Sequence, residues 1–250
     1  MRKNFILLIL GLFCLGFSAD AQTKSVVAEN KDINLKEKYN VLKSDKTIKQ
    51  GEYAAYSLFW GGLLCEGFYD HNKKDSLWKY YGFGQKLGES GYYKDDKKTG
   101  VWTAYDYDGQ LQVKYDFTNQ KLIFYQPSKK DTAKIFNVIN GTDTVKTLLD
   151  QRPIFLDGGA IFSRALASNI KYPAKAREEN ISGKVVVAFT IDKDGQLSNY
   201  RIKSSLGYGC DEQALNAIKK IPGDWLPGMV NGKPVVVAYE VPVNFILSNE

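Results

Sequence analysis

"YPAKAREENISGKVVVAFTIDKDGQL", residues 172–197, holds a Tyr-Pro stop, a short charged helix and a strand-turn-strand in one stretch. Val185, Val187, Phe189 and Ile191 alternate with Val186, Ala188 and Thr190, the period-two pattern of a half-buried strand. The turn "DKDG" (192–195) sends the chain back into "QLSNYRIKSS", completing a hairpin. Pro173 suits the first turn of a helix over "AKAREEN", where its missing amide is not needed.

The pattern extends in both directions. Upstream, "AIFSRALASNI" puts Ile161, Phe162, Ala165, Leu166 and Ile170 on one helical face, ended by Tyr172-Pro173. Downstream, a helix from Asp211 carries Ala214, Ala217, Ile218 and Ile221 at i, i+3, i+4 and i+7 before Pro222 stops it. In "PVVVAYEVPVNFIL" the residues Val235, Val237, Tyr239, Val241, Val243 and Phe245 alternate inward. The order helix, helix, hairpin, helix, strand predicts an α+β domain over 152–250, a three-stranded antiparallel sheet with helices on one face. Pro242 lacks an amide donor and places the last strand at a sheet edge. Such an edge can accept an added strand, and a proline there can equally discourage pairing.

The first half is repetitive. "GFYDHNKKDSLWKYY" (67–81) and "GYYKDDKKTGVWTAY" (91–105) match at an offset of 24, pairing Gly67 with Gly91, Tyr69 with Tyr93, Lys74 with Lys98, Trp78 with Trp102 and Tyr81 with Tyr105. Leu63, Leu87 and Leu111 keep the same offset. Each unit reads as two short strands around a polar turn, and no unit could bury its rings alone, so hairpins should stack into an all-β sheet over 50–122. These residues resemble MORN-like repeats, degenerate in the first copy "GEYAAYSLFWGGLL". The rings read as the core of a thin sheet or as a carbohydrate or peptide platform. Residues 123–151 form a connector, with a turn at "PSKKDTAK" and a hairpin around Asn140-Gly141.

Across 152–247 the sequence also resembles the C-terminal domain family of TonB, the periplasmic energy transducer, in the form common among Bacteroidetes. The resemblance rests on Tyr172-Pro173, Gly183, Val185, Asp194-Gly195, Trp225, Pro227-Gly228, Asn231-Gly232 and Phe245, in that order. It implies capture of an extended segment from outer-membrane TonB-dependent transporters. The partner-binding edge strand then falls on Val235, Val236, Val237, Ala238, Tyr239, Glu240, Val241 and Val243, with "ASNIK", including Ser168, Asn169 and Lys171, as a neighbouring contact. Trp225, Pro227, Gly183 and Gly195 take structural roles.

The N-terminus bears on the compartment. Arg2 and Lys3 precede an apolar run from Phe5 to Phe17, and "SADAQ" follows with Ala19 and Ala21 placed as in a signal-peptidase site. This predicts a signal peptide over 1–21 and a periplasmic protein; an uncleaved segment would anchor it in the inner membrane, within reach of motor proteins. The family's transducers keep an anchor and a Pro-rich stalk, whereas all seven prolines here lie at Pro127 or beyond. Cys14 belongs to the apolar run, and Cys65 and Cys210 read as small buried residues rather than a bridge.

Net charge is +6, but the charges are dispersed and no basic patch points to nucleic acid. Catalysis finds no support: His71 has no histidine or cysteine at metal spacing, and there is no G-x-S-x-G, H-E-x-x-H or phosphate-cradling loop. Glu178-Glu179, Asp95-Asp96 and Asp211-Glu212 are neighbours in sequence and do not face one another on a helix. No cofactor or metal is expected. Two functions follow: a TonB-like protein that binds transporter segments by strand addition, with or without energy coupling, and a non-transducing envelope scaffold or adaptor whose repeats bind protein or glycan.

Overall fold

A computed structural model describes residues 22–59, 61–127 and 135–247. The apolar run, the cleavage motif, Cys14 and most of "PSKKDTAK" lie outside the described residues. No helix among the described residues is long and apolar enough to cross a membrane.

Nine strands form one antiparallel meander: β1 (Thr23–Asn30), β2 (Leu35–Leu42), β3 (Lys49–Ser57), β4 (Leu63–Asp70), β5 (Lys73–Tyr81), β6 (Leu87–Lys94), β7 (Lys97–Tyr105), β8 (Leu111–Asp116) and β9 (Lys121–Tyr125). The sheet thus begins before the repeats that the sequence reveals. Its polar turns follow hairpin chemistry: His71 and Asn72, then Asp95 and Asp96, have positive φ at both central positions, which Asn, Asp and His tolerate better than most residues. His71 is exposed, with Nδ1 2.6 Å from Asp70 Oδ1.

The offset of 24 is a packing unit. Trp78 lies over Gly67 and Trp102 over Gly91, each so close that a Cβ on the glycine would fall 2.2 Å from the indole. Both indoles are buried, and each Nε1 donates to a carbonyl of the preceding strand, Phe68 O and Tyr92 O, at 3.1 Å. Tyr93 meets Trp78 and Trp102 edge-on at 5.9 and 5.0 Å, so the rings form a continuous core within the sheet. Lys74 and Lys98 also repeat, with Nζ 4.6 and 4.2 Å from the Trp78 and Trp102 rings. Cys65 occupies in the earlier unit the position of Glu89 in the later one. Lys74 Nζ donates to the Tyr80 hydroxyl at 2.7 Å, and burial lowers its pKa.

The second half holds a six-stranded sheet in the order β11 (Asp143–Leu148), β10 (Ile135–Asn140), β17 (Lys233–Phe245), β13 (Gly183–Ile191), β14 (Leu197–Ser204), with β16 (Gly228–Val230) also paired to β17. A two-stranded piece joins β12 (Ile154–Phe155) to β15 (Trp225–Leu226). Helices α1 (Gly158–Asn169), α2 (Ala174–Glu178) and α3 (Cys210–Lys219) complete it. Val185, Val187, Phe189 and Ile191 are fully buried, and with Val241, Val243 and Phe245 they pack on Ala176, Ala214 and Ile218. Gly195 is obligatory at its turn: φ is +81°, and a Cβ would lie 1.9 Å from Trp225 O. Asp211 accepts the Leu206 amide at 2.9 Å and the Ser205 hydroxyl at 2.5 Å, closing the loop before α3. Cys65 and Cys210 are both free thiols.

The expected three-stranded sheet is thus extended. The hairpin β10–β11, turning at Gly141-Thr142, adds to β17 through Asn137, Val138 and Ile139 opposite Ala238, Val237 and Val236. Phe136 and Val138 alternate in "IFNVIN" and bury one face, which drives the docking.

Helix α1 joins the two sheets. Phe162, Leu166 and Ile170 enter the core of the second sheet as the periodicity predicts. Ile161 instead turns to the meander, where a Cβ on Gly88 would come within 2.5 Å of its Cδ1; Ala160 likewise faces Gly82. Arg164 donates to Leu64 O at 2.8 Å and to Tyr81 O, and Gly159 N to Gln112 Oε1 at 2.7 Å. Ile154 and Leu156 share a second core with Ala104, Val113 and Tyr115. At this junction Lys98 Nζ lies 3.0 Å from Glu89 and 2.6 Å from Asp157, all three side chains being largely buried. One ammonium cannot neutralise two buried carboxylates, so burial and the neighbouring Asp157 push Glu89 up to about 8.

Two predictions test this packing. Gly91→Ala should destabilise by about 1–3 kcal/mol, because the methyl overpacks the indole, and Gly67→Ala should match it; urea midpoints would measure both. A folded pKa raised above the unfolded value gives stability that is present below the unfolded carboxylate pKa and lost as pH rises through about 8. Glu89→Gln should therefore flatten the fall in thermal stability of the native protein across that window, as calorimetry at pH 5 and pH 8.5 would show.

Candidate functional site

Strand β17 carries eight of the residues expected to pair with a partner, and its two edges differ along its length. Val237 to Phe245 pair with Ile191 to Gly183 of β13. On the opposite edge β10 covers Val236, Val237 and Ala238, while Val235 pairs with Gly228 of β16. The expectation of an open edge is therefore corrected for Val235–Ala238: these residues are already engaged by the chain itself. The same register sets Phe136 opposite Tyr239 and Ile135 opposite Glu240, and from Val241 to Phe245 β13 is the one partner strand among the described residues. Pro242, opposite Val186, falls in this stretch, where a missing amide leaves no ladder incomplete on a second side.

Side chains along the stretch divide by face. Val241, Val243 and Phe245 point into the core and are buried, so only their backbone can meet a partner. Glu240, Pro242 and Asn244 point to the other face, and Glu240 pairs with Lys203 at 2.5 Å. Tyr239 is held in a ring cluster: Trp225 lies 5.2 Å away at 64°, and Phe136 of β10 stacks on it at 6.2 Å and 21°. Arg152 donates to the Tyr239 hydroxyl at 3.2 Å and lies 5.6 Å from the Phe136 ring.

Two clefts flank this stretch, one on each face. On the helix side, a cleft of about 250 Å³ is bounded by Tyr239–Pro242, Trp225 and Phe162, and its far wall comes from the meander through Tyr107, Gln112 and Tyr125. On the other side, a cleft of about 500 Å³ runs past Phe136, Lys146, Val186 and Lys203 beside Ala238, Tyr239, Glu240 and Pro242. Ser168, Asn169 and Lys171 line neither cleft. Lys171 donates its amide to Gln213 Oε1 at 3.4 Å, Ile170 packs into the core shared with Val241, Val243 and Phe245, and Tyr172 packs edge-on against Phe245 at 5.6 Å. Trp225 is part of the core, as expected, and also a cleft wall. Arg152, Tyr107 and Tyr125 join the site without a sequence signal of their own: the first sits in "RPIF", which the resemblance covers without giving it a role, and the tyrosines lie outside any periodic match.

The sequence of residues 168–247 matches the model of the Gram-negative bacterial TonB protein C-terminal family. Residues 168–247 are a TonB C-terminal domain. No curated protein matches the chain. Among solved structures, a point mutant of S. aureus TarM, in complex with fondaparinux, alpha-GlcNAc-glycerol and UDP, aligns with 40% of this chain at 11% identity and a TM-score of 0.25. The chain spans 21% of that protein, and the likeness carries no argument about fold or function. In the TonB C-terminal domain no group of acidic, histidine or cysteine side chains among the described residues is arranged to hold a metal ion.

The pairing pattern sets an expectation for hydrogen exchange. In an antiparallel ladder successive amides point to opposite edges, so every second amide between Val241 and Phe245 that has a donor lacks a ladder acceptor among the described residues. Those amides should exchange at least about ten-fold faster than their edge-facing counterparts in Val236–Ala238, which β10 covers. Amide exchange followed by NMR on residues 22–250 would measure the difference.

Proposed function

We propose that this protein is a non-enzymatic cell-envelope binding protein whose TonB C-terminal domain captures an extended segment of an outer-membrane transporter by strand addition along Val241–Phe245. The observation that carries the reading is the combination at this stretch of a single partner strand among the described residues with clefts on both faces. Main-chain hydrogen bonds to an added strand supply affinity, and alternate side chains entering the two clefts supply specificity. The site is shorter than the edge strand implied by family resemblance, because β10 holds Val236–Ala238. Energy coupling to the inner membrane belongs to the same proposal and requires that the apolar run at 5–17 remain attached.

One observation favours the scaffold reading: the chain already fills part of the edge with its own hairpin, as a closed structural domain would. The two readings separate on what lies against Asn244, an exposed residue of the singly paired stretch. A photo-crosslinking amino acid at Asn244 in the native envelope should form adducts with an N-terminal, extended segment of an outer-membrane transporter, mapped by mass spectrometry. The same probe at Val27 in β1, also exposed, should not. Adducts confined to other scaffold proteins, or none from Asn244, would overturn transporter capture.

A further inference from the structure

We infer that the β10–β11 hairpin is an internal stand-in for the captured segment: it closes the edge at Val236–Glu240 in the free protein, and a segment that sets an aromatic side chain over Tyr239 and an aliphatic one against Val237 displaces it. This rests on the strand-addition reading and adds how the site is regulated and which side chains it selects.

β10 lies outside residues 168–247, yet it pairs with Val236–Ala238, residues that the family resemblance gives to a partner. It runs antiparallel to β17, and the two side chains it buries are Phe136 and Val138, 8% and 4% exposed. Phe136 stacks on Tyr239 at 6.2 Å and 21°. Arg152 donates to the Tyr239 hydroxyl and lies 5.6 Å from the Phe136 ring, so that ring is held by a second ring and a guanidinium. Val138 stands opposite Val237, which is fully buried. What the edge holds is therefore an extended strand with an aromatic and an aliphatic residue two positions apart, on the face turned to the core.

The rest of the hairpin contributes little to its own retention. Ile135 is 66% exposed, and every residue of β11 except Thr147 is exposed, Val145 and Leu148 among them. β11 pairs with β10 and with no other strand among the described residues. Fixed points lie on both sides of the hairpin: the Gln126 amide donates to Gln112 O at 2.8 Å, and the Asp150 amide to Met229 O at 2.9 Å. The hairpin is thus a tethered competitor, present at high effective concentration but held by two buried side chains and a short ladder. A segment that pairs along Val241–Phe245 and also takes over Val236–Glu240 makes a longer ladder, and it completes the exchange when it supplies the same two side chains.

The test uses residues 22–250 and, as probe, an acetylated peptide of residues 135–140 with a C-terminal fluorophore, followed by anisotropy. Shifts of the Val237 and Tyr239 NMR signals locate it. Phe136→Ala with Val138→Ala empties the edge without altering β17, and this variant should bind the probe at least about ten-fold more tightly than the native chain, whose open fraction is small. A probe with alanine at its own two matching positions should lose at least about ten-fold in affinity. Asn137→Cys with Ala238→Cys, directly opposed positions within disulfide reach, gives a second variant that needs no emptied edge. Oxidised, it should bind no probe; reduced, it should return to the native level. Equal binding by the native chain and the alanine variant, binding that survives the oxidised lock, indifference to the probe's ring, or no binding to any form would overturn the stand-in and leave strand addition along Val241–Phe245 untouched. Absence of transporter adducts at Asn244 from the native chain and the alanine variant alike would overturn strand addition itself.

Discussion

Everything in this molecule depends on how closely α1 approaches the meander sheet. Gly158 opens the helix with φ at +78°, and a Cβ there would lie 2.8 Å from Tyr105 O. Gly82 and Gly88 provide the matching clearance on the sheet. A side chain at any of these positions would force the two surfaces apart and open the core that Ile154 and Leu156 share with Val113 and Tyr115. Because α1 also buries Phe162 and Leu166 in the second sheet, the helix fixes the distance from the meander to β17. The cleft between Tyr107 and Val241 is a consequence of that distance.

The fold was legible wherever periodicity faced a single surface. The strand at Val185–Ile191, the helix carrying Ala214, Ala217 and Ile218, and the Trp-on-Gly unit at an offset of 24 all follow from one-sided burial, which a sequence records directly. The pattern misleads where a residue serves two surfaces. Ile161 lies in an apolar run with Phe162, yet the two side chains leave α1 toward different sheets, and helical spacing does not say which surface lies on which side. The strands β1 and β2 carry no repeat signature, because "TKSVVAEN" and "LKEKYNVL" lack its Gly and Trp.

The edge of β17 was half legible for a related reason. Pro242 marks a position that cannot be paired on both sides, and among the described residues the stretch around it does have one partner strand. Nothing in "VVVA" records that a hairpin far upstream docks there, because a strand covered on one edge and a strand covered on two have the same side-chain alternation. Edge occupancy is written in the backbone, and only proline reports on it in sequence. The candidate site is therefore legible as to strand and illegible as to extent, and its walls at Tyr107 and Tyr125 come from a part of the chain whose own pattern describes only the sheet it builds.

The buried ion cluster gives this arrangement its rigidity. Asp157 precedes α1 and makes no side-chain cap to the helix; its carboxylate is used on Lys98 of the meander, while the negative charge still sits at the positive end of the helix. Lys98 is held in turn by Glu89 and by the face of Trp102, the ring whose position Gly91 dictates. A cluster of this kind adds little net stability over an apolar contact, but removing Lys98 leaves two buried carboxylates without a counter-charge, so the two surfaces have one register in which the ammonium reaches both. That register holds the meander at a fixed offset from the second sheet. A segment added along Val241–Phe245 would accordingly meet a wall already in place, and would not have to organise one.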